Sequence, residues 1–318
     1  MEGRRNIWFL FLPILLGIIP FSARAYEVDT HALLTNEVFD FFNTNSDDDL
    51  PEETRAFLID GARREDDAPR WMNHFYDPVN DRGFSHDFLI NPEIDVGDWQ
   101  KSKEWAEDKG NQNKLTYKVP ATVASILSAL ERWKISEITT KTDFTWQEAI
   151  RHYVNGDMEK AFFTLGHILH LIQDTSVPDH TRNDPHPEGS VYEKFAEKYN
   201  LSNEDEELKK RLVKISPIAL DDLNSYFNEL AKYSNNNFYS KDTIGIQTGY
   251  SLPEVGEEYV FIDGMYYPIK TGDFGEYYLF GSKSLNKLLK SRSNLELNDI
   301  VSDSYWKMLS TKSVQYSA

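Results

Sequence analysis

Cysteine is absent from this chain of 318 residues, and several kinds of chemistry are excluded with it. Without thiols the protein has no disulfide framework, no lipid-modified N-terminal cysteine, no thiolate metal ligand and no cysteine nucleophile. Long apolar runs are also missing. The longest, at positions 7–21, is shorter than the ~20 residues that a helix needs to cross a bilayer. We found no internal repeat and no low-complexity linker.

The apolar run at 7–21 has the flanks of a secretory signal peptide. Arg4 and Arg5 precede it, and the small-x-small pattern Ala-Arg-Ala follows at 23–25. A positive start, a short apolar centre and small residues at the end are typical of a cleaved leader. We predict a signal peptide over residues 1–25, with an uncleaved signal anchor as the alternative.

Cleavage after Ala25 would make Tyr26 the first residue of a chain of about 290 residues, enough for one large domain. That mature chain has 31 basic and 51 acidic residues, once the leader's three basic residues and one acidic residue are subtracted, so its net charge is −20. Such a surface repels polyanions and anionic lipids, although bound cations can reverse the field within one cleft. A secreted chain without cysteine is typical of bacteria, and we predict a periplasmic or extracellular location.

The mature chain has predominantly helical patterning, and we predict an all-α fold: one multi-helix domain over 26–318. Apolar residues at helical spacing and helix start signals predict helices over 29–42, 51–66, 99–107, 118–136, 145–154, 157–173, 188–199, 204–214, 217–232 and 296–313. One segment, 257–270, instead alternates around Asp263-Gly264, which predicts a small β-hairpin insertion with a type I′ turn. Residues 73–98 are rich in Asn, Asp, Pro and Gly and predict a long functional loop.

Three of the eight histidines lie within fourteen residues, in the stretch LGHILHLIQDTSVPDH at 165–180. His170 and Asp174 are four residues apart on a predicted helix, so they project from one face, one turn apart. Pro178 ends that helix, and His180 follows it. Two interpretations fit this stretch alone: a metal site, or histidines that hydrogen-bond within a buried core.

Further histidines and acids extend the candidate metal site. His31 follows the predicted cleavage site closely, His74 lies eight residues after Asp66, and His186 lies seven residues before Glu193. Imidazole and carboxylate donors without thiolates suit zinc at a hydrolytic site, with manganese as the alternative.

These segments resemble the zinc-dependent phospholipase C / S1–P1 nuclease superfamily. The resemblance runs from Tyr26 to about Glu197 and rests on four segments in order: the predicted mature terminus with its following histidine, GARREDD with HFYDP, LGHILHLIQDTSVPDH, and HPEGSVYEKF. In that family the free α-amino group and carbonyl of the first mature residue bind zinc. The resemblance therefore implies a helical fold of this type and requires cleavage of the leader.

By resemblance, nine donor residues hold three zinc ions. The first ion is assigned to Asp66, His74, His170 and Asp174, the second to Tyr26, His31 and a bridging Asp174, and the third to His180, His186 and Glu193. Asp66 and Asp174 are the predicted catalytic residues, since Asp174 bridges two ions and Asp66 orients or deprotonates the attacking water. Asp60, Glu65 and Asp67 compete with Asp66 for its role. The gap from His186 to Glu193 is longer than the family's usual four residues.

The resemblance implies hydrolysis of a phosphate ester by direct attack of water. HFYDP and Glu193 favour the phospholipase C branch, with a phospholipid or other phosphate ester as substrate. Transient contact with a membrane surface would use the 75–98 loop or the 257–270 hairpin. No obligate protein partner is predicted.

Two alternatives remain open from the sequence. The first is a nuclease of the S1/P1 type that cleaves single-stranded nucleic acid, for which the aromatic candidates are Trp71, Tyr76, Trp99 and Trp105. The second is a catalytically silent zinc-binding protein of the envelope, stabilised by its metals.

The remaining histidines are not predicted to bind metal. His167 has a supporting or core role, and His86 and His152 have surface or core roles.

Overall fold

The computed structural model describes residues 28–67, 70–85, 99–113, 116–118, 137–139, 142–184, 186, 189–244, 253, 255, 258–284 and 295–318. The predicted signal peptide, Tyr26, His86 and all but the first residue of the predicted helix 118–136 therefore lie outside the described residues.

Helices form most of the described chain. They are α1 (Val28–Asn45), α2 (Glu52–Arg64), α3 (Ser102–Trp105), α4 (Lys109–Gln112), α5 (Trp146–Val154), α6 (Met158–Asp174), α7 (Pro178–Thr181), α8 (Val191–Ala196), α9 (Glu206–Leu212), α10 (Leu223–Asn237) and α11 (Asp299–Ser317), with a 3-10 turn at Arg70–Asn73. None of these helices, within the ranges given above, is long and apolar enough to span a membrane.

Capping side chains fix where many helices begin. The side chains of Thr145, Asp157, Ser190, Asp205 and Asp222 each accept a hydrogen bond from a backbone N–H in the first turn of α5, α6, α8, α9 and α10. Such a cap satisfies one of the N–H groups that the helix itself leaves without a partner.

Four predicted helices are confirmed with small differences at their ends: α1, α2, α5 and α6 were predicted over 29–42, 51–66, 145–154 and 157–173. Others are shorter or displaced. The helix predicted over 217–232 begins only after the Asp222 cap and continues to Asn237, and the one predicted over 99–107 is reduced to the single turn of α3. Of the predicted loop 73–98, the part to residue 85 is irregular apart from one bridge between Asp77 and Arg82.

The described strands form two antiparallel sheets: β1 (Thr116–Lys118) with β2 (Glu137–Thr139), and a five-stranded sheet of β3 (Tyr259–Ile262), β4 (Met265–Gly272), β5 (Gly275–Tyr278), β6 (Gly281–Ser282) and β7 (Leu295–Glu296). The predicted hairpin is confirmed as β3 and β4. Asp263 and Gly264 have φ of 49° and 83°, as a type I′ turn requires at both central residues.

The all-α prediction is therefore too narrow, because the hairpin is part of a larger sheet. β5 follows β4 directly and packs on α11, where the Tyr305 hydroxyl donates to the carbonyl of Leu279 at 2.7 Å and Ser304 bonds to Tyr278. β6 and β7 have two residues each. Strands this short carry too few residues to show alternation, so the sequence could not reveal them.

The helices α2 and α6 cross at two glycines. A Cβ added to Gly61 would lie 1.9 Å from the carbonyl oxygen of Phe163, and one added to Gly166 would lie 2.2 Å from that of Leu58. The backbones of the two helices are therefore in direct contact, and a side chain at either glycine would have to push them apart.

We expect Gly61→Ala and Gly166→Ala each to lower the free energy of unfolding by about 3 kcal/mol, the upper part of the range for overpacking. In a domain of this size that lowers Tm by roughly 6–12 °C. Thermal and urea unfolding measure the effect. Gly110→Ala is the matched control, because a Cβ there approaches only the Asp108 side chain, at 3.1 Å. A Tm within 1 °C of wild type in both variants would contradict the close contact.

Candidate metal centre

The structure brings together the eight predicted donors that lie within the described residues. α1 carries His31, the segment after α2 carries Asp66 and His74, and α6 carries the pair at 170 and 174. The remaining donors come from α7, the turn after it, and α8: His180, His186 and Glu193. All eight side chains are at least 95% buried.

Asp174 lies at the centre, and its two oxygens face different histidines. Oδ1 is 3.3 Å from Nε2 of His31 and 3.7 Å from Nδ1 of His180. Oδ2 is 3.0 Å from Nδ1 of His74 and 3.3 Å from Nε2 of His170. A carboxylate that divides its oxygens between two groups of donors is placed to bridge two cations.

A first group of donors consists of Asp66, His74 and His170. Asp66 Oδ1 is 3.7 Å from Nδ1 of His74 and 3.9 Å from Nε2 of His170, and these two nitrogens are 3.3 Å apart. Two ligands at 2.0–2.2 Å from a tetrahedral zinc ion are about 3.4 Å apart. The donor spacing therefore matches zinc.

His31 and His170 are held by their outer nitrogens. Nδ1–H of His31 donates to Oε1 of Gln173 at 2.7 Å, and the Gln173 amide in turn donates to Thr35. Nδ1–H of His170 donates to the carbonyl of Ala62 at 2.7 Å. Each bond fixes the tautomer with a lone pair on Nε2, the nitrogen that faces Asp174.

The last group contains His180, His186 and Glu193. The Glu193 oxygens lie 3.4 Å from Nε2 of each histidine, again the spacing of zinc ligands. His186 donates from Nδ1 to the carbonyl of Asp184, and Phe75 stacks on the His180 ring at 4.5 Å. The long sequence gap from His186 to Glu193 therefore does not separate their side chains.

A tight turn explains how that gap is closed. His186 and Gly189 both have positive φ, 31° and 86°, and the Gly189 N–H donates to the His186 carbonyl at 2.7 Å. Ser190 then caps α8 through the backbone N–H of Glu193. These two hydrogen bonds place Glu193 in the same donor group as His186.

Several donor atoms of this cluster are buried without a hydrogen bond. Within the described residues, both oxygens of Asp66 and of Asp174, both ring nitrogens of His180 and Oε1 of Glu193 have no hydrogen-bond partner. An unsatisfied buried carboxylate costs several kcal/mol or more. Cations placed among these atoms would remove that cost, so the residues fit bound metal ions.

The protonation equilibria of the metal-free protein show the same need for positive charge. Burial lowers the pKa of His170, but Asp174 and Asp66 more than offset it and raise the pKa to about 9. Burial raises the pKa of Glu193 well above its ordinary value, and the carboxylates of Asp179 and Asp174 raise it further. Protons are retained where cations would otherwise balance the carboxylates.

Glu65 and Asp66 are adjacent in sequence but point in different directions. Glu65 accepts hydrogen bonds from Trp105, Arg70 and His167, none of which belongs to the donor groups. Burial raises the pKa of Glu65, but Arg70 and the hydrogen bond from His167 outweigh this and hold it well below its usual range. The structure thus separates two acids that compete in the sequence, and it gives His167 a supporting place.

A group that sequence reasoning missed contains Asp179, Asp184 and His186. Ser190 donates to Asp179 at 2.9 Å, and the backbone N–H of Asp242 donates to Asp184 at 2.7 Å. Burial and the neighbouring Asp184 raise the pKa of Asp179 well above its ordinary value. These acids form an outer layer around His186; their only sequence signal is their position beside His180 and His186.

The aromatic candidates divide into buried and half-buried residues. Trp105 and Tyr76 are buried, with Trp105 hydrogen-bonded to Glu65. Trp71 and Trp99 are half-buried and meet edge to face, with ring centroids 5.4 Å apart. Of the other histidines, His152 lies on α5 near Glu148, at 3.3 Å, and takes no part in the donor groups.

Comparison with known proteins yields only distant similarity. No protein-family model and no curated protein sequence matches the chain. Two similar solved structures are the alpha toxin from Clostridium absonum, at 16% identity and a TM-score of 0.37, and Clostridium perfringens alpha-toxin from avian strain SWCP, at 19% and 0.32.

The matches cover 67% and 66% of this chain but only 52% and 53% of those chains. This chain thus spans about half the length of the structures that it matches. At such TM-scores the similarity carries no information on activity, and function has to be inferred from the donor groups themselves.

Proposed function

We propose that this protein is a secreted zinc-dependent hydrolase of phosphoric esters, with phospholipid headgroups as substrate in a phospholipase C-type reaction. One observation carries the proposal: three groups of buried His, Asp and Glu donors, spaced as zinc ligands, converge around Asp174. Several of their atoms have no hydrogen-bond partner within the described residues.

The donors would hold three zinc ions: one at Asp66, His74, His170 and Asp174, one at His31 and Asp174 with the terminal donor Tyr26, and one at His180, His186 and Glu193. Bound there, zinc lowers the pKa of a coordinated water toward 7 and stabilises negative charge on phosphoryl oxygens. The histidines supply neutral imidazoles whose tautomers are fixed from outside the cluster, and the acids supply the charge.

Asp66 lies between the donor groups and a pocket of about 300 Å³ that is also lined by Val28, Asp60, Arg63 and Arg64. Its two carboxylate oxygens are buried. We assign to Asp66 the orientation of the attacking water and the acceptance of its proton.

The choice of phospholipid as the proposed substrate rests on the resemblance of the sequence segments. HFYDP at 74–78 and Glu193 favour the phospholipase branch. A nuclease is the second candidate, supported by Trp71 and Trp99, which are half-buried and offer aromatic faces of the kind on which bases stack.

The activities are separated by incubating the protein that starts at Tyr26, loaded with zinc, with short-chain phosphatidylcholine, a chromogenic phosphocholine ester and single-stranded DNA. We expect release of phosphocholine, and none from a sample treated with chelator until zinc is restored. Cleavage of DNA alone would establish the nuclease. Three bound zinc ions without turnover of any substrate would establish a silent zinc-binding protein.

The proposed second ion requires the leader to be removed. α1 begins at Val28, so the α-amino group of a chain starting at Tyr26 would lie just before the helix that carries His31. Mass spectrometry of the protein recovered from the periplasm or medium checks the terminus. A terminus before Tyr26 would remove that donor.

A further inference from the structure

The side chain of Glu65 is fully buried and accepts hydrogen bonds from three other side chains. Its Oε2 accepts from Nδ1 of His167 at 2.6 Å and from Nε of Arg70 at 2.7 Å, and its Oε1 accepts from Nε1 of Trp105 at 2.8 Å. Arg70 balances its charge and is itself held by Thr142 and Gln112. These contacts fix the carboxylate in one position.

In that position the carboxylate lies close to His74, one of the proposed metal ligands. Oε1 of Glu65 is 3.9 Å from Nε2 of His74, on the side of the ring away from the cluster. The opposite nitrogen, Nδ1, is 3.0 Å from Asp174 and 3.3 Å from His170. Nε2 has no hydrogen-bond partner within the described residues, so Glu65 is the anion that it faces.

His74 differs from His31 and His170 in how its tautomer is set. Those two rings donate from Nδ1 to a neutral oxygen, of Gln173 or Ala62, and present Nε2 to the cluster. His74 presents Nδ1 instead, and among the described residues Nε2 has no such neutral acceptor. Its orientation therefore has to be secured in another way.

We propose that Glu65 is a positioning residue: its carboxylate keeps the proton of His74 on Nε2 and thereby reserves the Nδ1 lone pair for the first zinc ion. The inference rests on the proposed function, in that it assumes a metal at Asp66, His74, His170 and Asp174. A carboxylate that accepts the ring N–H of a ligating histidine raises the basicity of the ligand and fixes its ring, and its loss typically costs about 10–100-fold in metal affinity. Glu65, at 3.9 Å from Nε2 of His74, acts through its charge and not through a hydrogen bond, so its effect lies at the lower end of that range.

The position of Glu65 has two effects: it keeps Glu65 out of the metal centre, and it supports His74. The hydrogen bonds from His167, Arg70 and Trp105 keep the Glu65 carboxylate from turning toward the metal ligands. There it would compete with Asp66 as a ligand. Its remaining interaction, with His74, places a carboxylate oxygen 3.9 Å from Nε2 of the ring. Because Glu65 and Asp66 are neighbours on the chain, one turn after α2 places both the ligand and the support of another ligand.

The test is Glu65→Gln, which keeps the size and an acceptor for Trp105 but removes the negative charge. We expect one of the three zinc ions to bind about 10-fold more weakly, seen as earlier loss of one ion on dialysis against a graded chelator, while the other two stay bound. Glu37→Gln is the matched control, a buried glutamate on α1 that is outside the donor groups, and it should retain all three ions.

A second measurement needs no variant. Nitrogen-15 NMR of the zinc-loaded wild-type protein reports which ring nitrogen of His74 carries the proton, and we expect Nε2. A proton on Nδ1, or unchanged affinity for all three ions in folded Glu65→Gln, would overturn the inference. If wild-type protein binds no zinc, the proposed function fails as well, and the zinc content of that sample distinguishes this case from failure of the Glu65 role alone.

Discussion

Asp174→Asn is expected to lose two of the three zinc ions and nearly all hydrolytic activity. Asp174 is the residue whose oxygens separate two groups of donors: Oδ1 faces His31 and Oδ2 faces His74 and His170. An amide of the same size supplies one neutral oxygen and one NH₂ group, which repels a cation. We expect kcat/KM to fall by about 10³-fold or more, equivalent to about 4 kcal/mol of transition-state stabilisation.

Metal content by mass spectrometry and turnover of the phosphocholine ester are measured on the same samples. Asp205→Asn is the control, because Asp205 is also buried but caps α9 and binds Trp306. The control should keep three ions and wild-type activity. Full zinc content in Asp174→Asn would show that the ligand assignment is wrong.

The second large effect is expected on removing the metals from the intact protein. Without them, the side chains of Asp66, Asp174 and Glu193 remain buried, with oxygens that have no hydrogen-bond partner within the described residues. Structural zinc contributes on the order of 10 kcal/mol to the folding of small domains. Even a fraction of this per ion lowers Tm by on the order of 20 °C at 2–4 °C per kcal/mol.

Thermal unfolding with and without a chelator measures the loss, and return of zinc should restore Tm. The same chelator saturated with zinc is the matched control for effects of the reagent itself. If the chelated sample is shown to be free of zinc and melts within 2 °C of the zinc-loaded one, the cluster does not hold structural metals.

The free energy of unfolding of the metal-free and the zinc-loaded protein should also depend differently on pH. In the metal-free protein Asp174 and Asp66 outweigh burial and raise the pKa of His170 to about 9, while an unfolded histidine titrates near 6.5. Between those values the folded state binds more protons than the unfolded state, so the free energy of unfolding falls as pH rises. The zinc-loaded protein should show little of this fall, since zinc binds deprotonated ligands and the unfolded histidines are themselves largely deprotonated above pH 7. Parallel trends from pH 7 to 9 would contradict this.

The sequence predicted those parts of the fold in which local pattern and tertiary environment agree. α6 combines an Asp157 cap with apolar residues at helical spacing, and the Asp263-Gly264 turn has the backbone that its residues favour. β6 and β7 lack such local signals. They form because β6 pairs with β4 and β7 pairs with β6, and these contacts join segments that are apart in the sequence.

The candidate site was predictable where donors share a helix face, and less so where the chain has to turn. The four-residue spacing of His170 and Asp174 directly implied their proximity. Whether Glu65 or Asp66 entered the cluster depended on Arg70 and Trp105, whose contacts with Glu65 are tertiary. The role of Tyr26 stays a prediction, as it lies outside the described residues.

The contact of α2 with α6 through Gly61 and Gly166 has a consequence for tracing distant relatives. Because the backbones touch, the carbonyl of Ala62 reaches the ring of His170, and the spacing between helices is tied to the orientation of a ligand. The glycines therefore belong in the same search pattern as the donors: Gly-x4-Asp across the end of α2, with Gly-x3-His-x3-Asp within α6. Sequences that keep the acids and histidines but lose either glycine would be weak candidates for the same architecture.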